Sequence, residues 1–244
     1  MNSVQMNKAS NEIDDLIKEK ICFPEEELFP ILDGIVNIDD YCNKDATKYK
    51  ILWVLKEPHD EMGGWNYKAD VYKKYLEYAK LPTWETIAYT SFGILNNRKY
   101  ADMDNISDTI EGEKVAEAIK QIAFINIKKI PGKPFTLGWD IEDAYIRDKE
   151  IIIKQINSYE PNIIITGGIY RCGSTLKMLL NDLEIDSKKL ISPNKESSIE
   201  YIIYKNKIII SAYHPSYAYN NRGVLQEKYC NDIIEIVNQW ENCK

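Results

Sequence analysis

The chain has 244 residues, 44% of them hydrophobic and 28% charged, so it can bury the core of one large domain, and a single domain over residues 1–244 is expected. A net charge of −7 argues against a protein that coats nucleic acid by neutralising phosphates across its surface; any DNA contact has to come from a local basic patch. No apolar run approaches the ~20 residues of a bilayer span, Met1–Glu12 is polar, and five cysteines without C-x-x-C spacing read as reduced thiols, so a cytosolic chain with no membrane partner, metal or cofactor is expected.

Residues 1–48 read as a helical extension ahead of the first strand. Apolar runs of strand length follow at Ile51–Leu55, Ile122–Ile127, Asn162–Thr166, Tyr201–Tyr204 and Lys207–Ala212. Being continuous rather than alternating, they predict strands covered on both faces. Between them lie helical stretches at Tyr67–Lys80, Thr83–Asn96, Glu113–Gln121, Ile141–Tyr159, Ser174–Asp182 and Leu225–Glu241, punctuated by Pro82 and Pro161. This alternation predicts a three-layer α/β/α sandwich around a mostly parallel sheet of four to five strands. Lys205-Asn206, between the last two runs, predicts a hairpin and hence one antiparallel edge strand. The polar, acidic segment Asn97–Gly112 is predicted to be an exposed loop.

Ligands of open α/β sheets sit in the crevice beyond the carboxyl ends of the strands, so the residues that directly follow each apolar run are the candidates for chemistry. They are Lys56-Glu57-Pro58-His59-Asp60, Asn126 to Pro131, Gly167-Gly168-Ile169-Tyr170-Arg171, and Tyr213-His214-Pro215-Ser216-Tyr217. Each has an ordinary use as well. Glu57 suits a helix cap or a lysine partner, Asn126 a turn, and His214 a satisfied core position. Gly167-Gly168 lacks the third glycine of a dinucleotide fingerprint, and no P-loop lysine follows, which argues against a nucleotide cofactor. The aromatic stretch Tyr213–Tyr219 suits either core packing or a surface on which bases stack.

In this order the four segments resemble the uracil-DNA glycosylase superfamily, and the resemblance runs from about Lys50 to Trp240. L-K-E-P-H-D at 55–60 is similar to the family's water-activating loop, G-Q-D-P-Y-H in some members and G-x-N-P-G in others. A-F-I-N-I-K-K-I-P at 123–131 resembles the strand that ends in the base-reading Asn, and I-I-I-T-G-G-I-Y at 163–170 the apolar strand leading into a Gly-containing turn. H-P-S-Y-A-Y-N-N-R-G at 214–223 resembles H-P-S-P-L-S-x-Y-R-G, with His214, Pro215, Ser216, Arg222 and Gly223 in register.

The resemblance implies a DNA glycosylase for uracil or another modified base, acting as a monomer on single-stranded DNA or on a base flipped from duplex. Glu57 is then the group that orients water and stabilises the sugar cation, and His214 the donor to the departing base. Asn126 reads the base, with Phe92 (Trp65 next) as the stacking aromatic and His59 at the position that shapes the pocket. Ser216, Tyr217, Arg222 and Lys129 are the implied DNA contacts, with Lys128 and Lys133 nearby. Three departures stand out: Glu in place of Asp or Asn at 57, His59 in place of Tyr or Gly, and Ala218 where the family carries a wedge leucine. A non-catalytic nucleic-acid-binding or nucleotide-binding member of the same fold, or an N-glycosidase of a non-DNA nucleotide, remain the alternative readings.

Overall fold

The computed structural model describes residues 1–21, 27–43, 48–106, 109–132, 138–193, 199–220 and 224–243. Helix α1 (Ser3–Lys20) starts at a capping box: the Asn2 side chain accepts the Gln5 N–H while the Gln5 side chain accepts the Asn2 N–H. Met6, Ile13 and Ile17 recur at helical spacing and are buried, and the helix lies against α7 (Gly138–Tyr159). The extension expected at the amino terminus is therefore part of one outer layer, not an appendage.

The sheet comprises β1 (Gly34–Ile35), β2 (Ile51–Leu55), β3 (Ala123–Asn126), β4 (Ile163–Gly167), β5 (Glu200–Tyr204) and β6 (Lys207–Ala212) in the order β1-β3-β2-β4-β6-β5. The central four are parallel, and β1 and β5 are antiparallel edges. Side chains alternate between faces. Ile51, Trp53, Leu55, Phe124, Ile165 and Ile210 join a core beneath α5 (Pro82–Asn96), α6 (Ile110–Glu117) and α10 (Val224–Asn242). Leu52, Val54, Ile125, Ile164 and Ile209 join a second core beneath α1, α7 and α8 (Thr175–Asp182). Both faces are thus dry, the physical reason the strands read as unbroken apolar runs. Three layers and a mostly parallel sheet match the expectation. No helix among the described residues is long and apolar enough to cross a membrane.

Four details differ from the sequence reading. A sixth strand exists: β1 is only two residues long, too short to show periodicity, and rests on Gly34, where a Cβ would lie 2.6 Å from the Tyr159 hydroxyl. The stretch 67–80 is two helices, α3 (Tyr67–Lys73) and α4 (Tyr75–Tyr78), broken at Lys74. That break accompanies tertiary contacts, the Tyr78 hydroxyl donating to Asp70 at 2.8 Å and its ring standing edge-on to Trp84. Helix α6 begins at Ile110 because the Thr109 hydroxyl caps Gly112, and Ile106 is buried, its N–H held by the Tyr89 hydroxyl, so the 97–112 segment is not simply an exposed loop. Finally, the chain after His214 turns directly into a short helix outside the predicted set, α9 (Pro215–Asn220), whereas the short α2 (Ile38–Cys42) falls within the helical extension expected over residues 1–48.

Candidate active site

Pairing between the β2 and β3 segments continues past the strand ends. Ile127 and Lys128 donate to the carbonyls of Leu55 and Lys56 at 2.9 Å, and Gly132 donates to Pro58 at 2.9 Å. The two post-strand segments therefore run side by side, which carries the Lys128 ammonium to within 3.0 Å of the Glu57 carboxylate. Glu57 is 8% exposed at its side chain, and burial raises its carboxyl above the ordinary carboxylate range despite the opposing Lys128 bond. Gly132 makes this placement possible, because a Cβ there would overlap Cδ and Oε2 of Glu57. Gly132→Ala is accordingly expected to push the carboxylate off Lys128 and lower any Glu57-dependent rate by about 10–100-fold, as small misplacements do, with a far-UV circular dichroism spectrum like the wild type's; an unaltered rate would count against Glu57 as the reacting group.

The opposite side of the site comes from β6. His214 follows Ala212 by two residues and is half-buried. Its Nδ1 accepts the Ser216 N–H at 3.3 Å and lies 2.8 Å from the Ser216 hydroxyl, so the ring proton belongs on Nε2, free to donate outward. Burial, then the neighbouring Lys56 cation, push the imidazole down to about 4, and it is neutral near pH 7. Between the two sides stands Gly168, at φ +82°, where a Cβ would sit 3.1 Å from both Lys56 Cε and His214 Cβ. The glycine pair after β4 serves close approach of side chains rather than phosphate binding. Since β2 and β6 flank β4, the strands that lead into Glu57 and His214 lie about two strand spacings, roughly 10 Å, apart.

Asn126 ends β3 opposite Leu55 and is 2% exposed. Its backbone N–H donates to Asp33 Oδ2 at 2.7 Å and its side-chain Nδ2 reaches the same oxygen at 3.4 Å. Asp33 also receives the Lys129 ammonium at 2.8 and 3.0 Å and the Gln155 amide at 2.9 Å, all without solvent. This corrects the expected role of Lys129: fully buried and committed to Asp33 and Gln155, it cannot meet a phosphate. Burial lowers its affinity for a proton, and Asp33 opposes that shift. Ser216 is half-buried, and its hydroxyl and N–H both address His214.

His59 is exposed, paired through a β-bridge with Gly132, and stands on the rim. Tyr217 is 56% exposed and edge-on to Tyr213 at 5.5 Å. Phe92 is half-buried against the α5-side core, and no described contact brings its ring to Glu57 or His214. Trp65 is tied to Asp60 at 2.7 Å and packs on Tyr67. Ala218 is fully buried against the core, where no wedge can stand. Arg222, Gly223 and Lys133 lie outside the described residues.

A cavity of roughly 510 Å³ opens elsewhere, between α1, α2 and α3, with the Lys68–Asp14 pair among its lining residues. At 2.7 and 2.8 Å that pair is already neutralised, so it presents no free base. Fold and site together define an α/β/α protein that gathers a buried carboxylate and a neutral imidazole at the carboxyl edge of its sheet. No protein-family model matches the chain, and no curated protein matches it.

Proposed function

We propose that this protein is a divergent DNA glycosylase of the uracil-DNA glycosylase type, hydrolysing the N-glycosidic bond of uracil or another modified base. The observation that carries the reading is the gathering of Glu57 and a neutral, Nε2-protonated His214 at strand ends two spacings apart. Breaking an N-glycosidic bond leaves positive charge on the sugar and negative charge on the base, so an anion is needed on one side and a donor on the other. Glu57 stabilises the cation and orients water, while His214 donates to the base carbonyl where charge accumulates. Asn126, its Nδ2 held toward Asp33, meets the base edge with its side-chain oxygen.

Incubation with single- and double-stranded oligonucleotides carrying uracil, hypoxanthine or hydroxymethyluracil should give alkali-labile abasic sites with at least one of them. The 3.0 Å ion pair from Lys128 favours a second reading, a non-catalytic nucleic-acid-binding protein, because a paired carboxylate is a weaker base. Oligonucleotide binding without abasic product on any substrate would establish that second reading instead.

A further inference from the structure

Glu57, His214 and Asn126 account for water, base carbonyl and base edge, but one charged group at the same strand ends is left unused. Lys56 is half-buried, and among the described residues its ammonium has no ion-pair partner, whereas Lys128 is held by Glu57 and Lys129 by Asp33. Its stem lies over Gly168, at the same 3.1 Å from a would-be Cβ as His214. Glycine at 168, at φ +82°, leaves both side chains this close at one strand end, and a side chain there would be strained and would press on both.

We propose that Lys56 is a catalytic residue for the leaving group: its ammonium joins the His214 Nε2–H in binding the base as it departs as an anion. The inference rests on the glycosylase reading. In the step itself, the C1′–N bond breaks with both electrons going to the base, and water adds to C1′ with loss of its proton to Glu57. The base leaves as an anion neutralised by the Lys56 charge and is protonated afterwards by solvent. A cation at the oxygen that gains charge is an electrostatic stabiliser of the transition state, effective because it is fixed in place before reaction. The consequence for substrate is definite: a site that supplies a full positive charge accepts bases whose anions are less stable than that of uracil. After burial, the nearby Lys56 charge also lowers the His214 proton affinity, in keeping with the closeness of the two side chains over Gly168.

The test compares wild type, Lys56→Met and Lys56→Arg in single-turnover excision from oligonucleotides carrying 5-fluorouracil, uracil and 5-hydroxymethyluracil. Their leaving groups differ in acidity. Lys56→Met should slow uracil excision about 100-fold and widen the ratio between 5-fluorouracil and uracil, because the weaker leaving group loses most; Lys56→Arg should restore most of both. A structural role would slow all three bases alike, and an unchanged ratio in Lys56→Met overturns the assignment. If wild type excises no base, the glycosylase reading fails and takes this one with it, a result distinct from an active enzyme indifferent to Lys56. Nuclear magnetic resonance titration of His214 is a second arm that needs no activity. With only His59 and His214 to assign, the His214 midpoint should rise in Lys56→Met, and a midpoint that stays put also overturns the proposal.

Discussion

Glu57→Gln should reduce excision of whichever base the oligonucleotide assay identifies by roughly 10³-fold, within the range general-base and charge-stabilising groups supply, while leaving the fold intact. Glutamine fills the same space beside Gly132 and still offers an amide oxygen to Lys128, so what is removed is the negative charge. The pH profile sharpens this. Glu57 works ionised, and burial raises its carboxyl above the ordinary range, so kcat/KM should fall as pH drops through that raised value. His214 cannot produce this acid limb, because it stays neutral until about pH 4. Lys128→Met removes the bond that opposes the shift, so the limb should move to still higher pH. A limb that ignores Lys128 would mean that another group controls the rate.

The location of the candidate site was legible because the strands are. Ile-rich runs located the carboxyl ends, and the rule that ligands gather there picked out Glu57, Asn126 and His214 before any geometry was known. What escaped were residues whose meaning lies in contacts across the chain. Asp33 sits in an unremarkable segment ahead of a two-residue strand, yet it receives four side-chain or backbone donors from residues 93 to 122 positions away. Gly132 and Gly168 carry no side chain from which a role could be read, and the close approach of Glu57, Lys56 and His214 is what accounts for them. Nothing in Lys128-Lys129 distinguishes the two lysines in sequence; pairing with the Leu55–Pro58 segment sets their directions, turning Lys128 to Glu57 and burying the Lys129 ammonium.

The fold was readable to the same depth. Periodicity gave the layers, whereas element boundaries set by individual side chains did not follow from it: the break at Lys74 accompanies the contacts of Tyr78 with Asp70 and Trp84, and α6 starts early on the Thr109 cap. The short β1 carries no pattern of its own and exists because β3 offers an edge.

Asp33→Ala is the substitution expected to cost most stability, about 3–5 kcal/mol in chemical denaturation. Asp33, Lys129 and Gln155 are all fully buried, and removing the carboxylate leaves an ammonium in the core that, among the described residues, has the Gln155 carbonyl at 2.6 Å as its remaining side-chain partner. The cost measures an orphaned charge, not the net worth of the pair. The double variant Asp33→Leu with Lys129→Met removes both charges and should recover most of that loss, since well-packed apolar residues replace buried ion pairs with little penalty. Recovery of stability need not bring recovery of function. Asn126 loses the acceptor that holds both its N–H and its amide, so its side chain is free to turn. A folded double variant that excises but no longer discriminates between bases would separate the two duties of Asp33, core ion pair and tether of the base reader. A double variant as selective as wild type would mean that β3 alone positions Asn126.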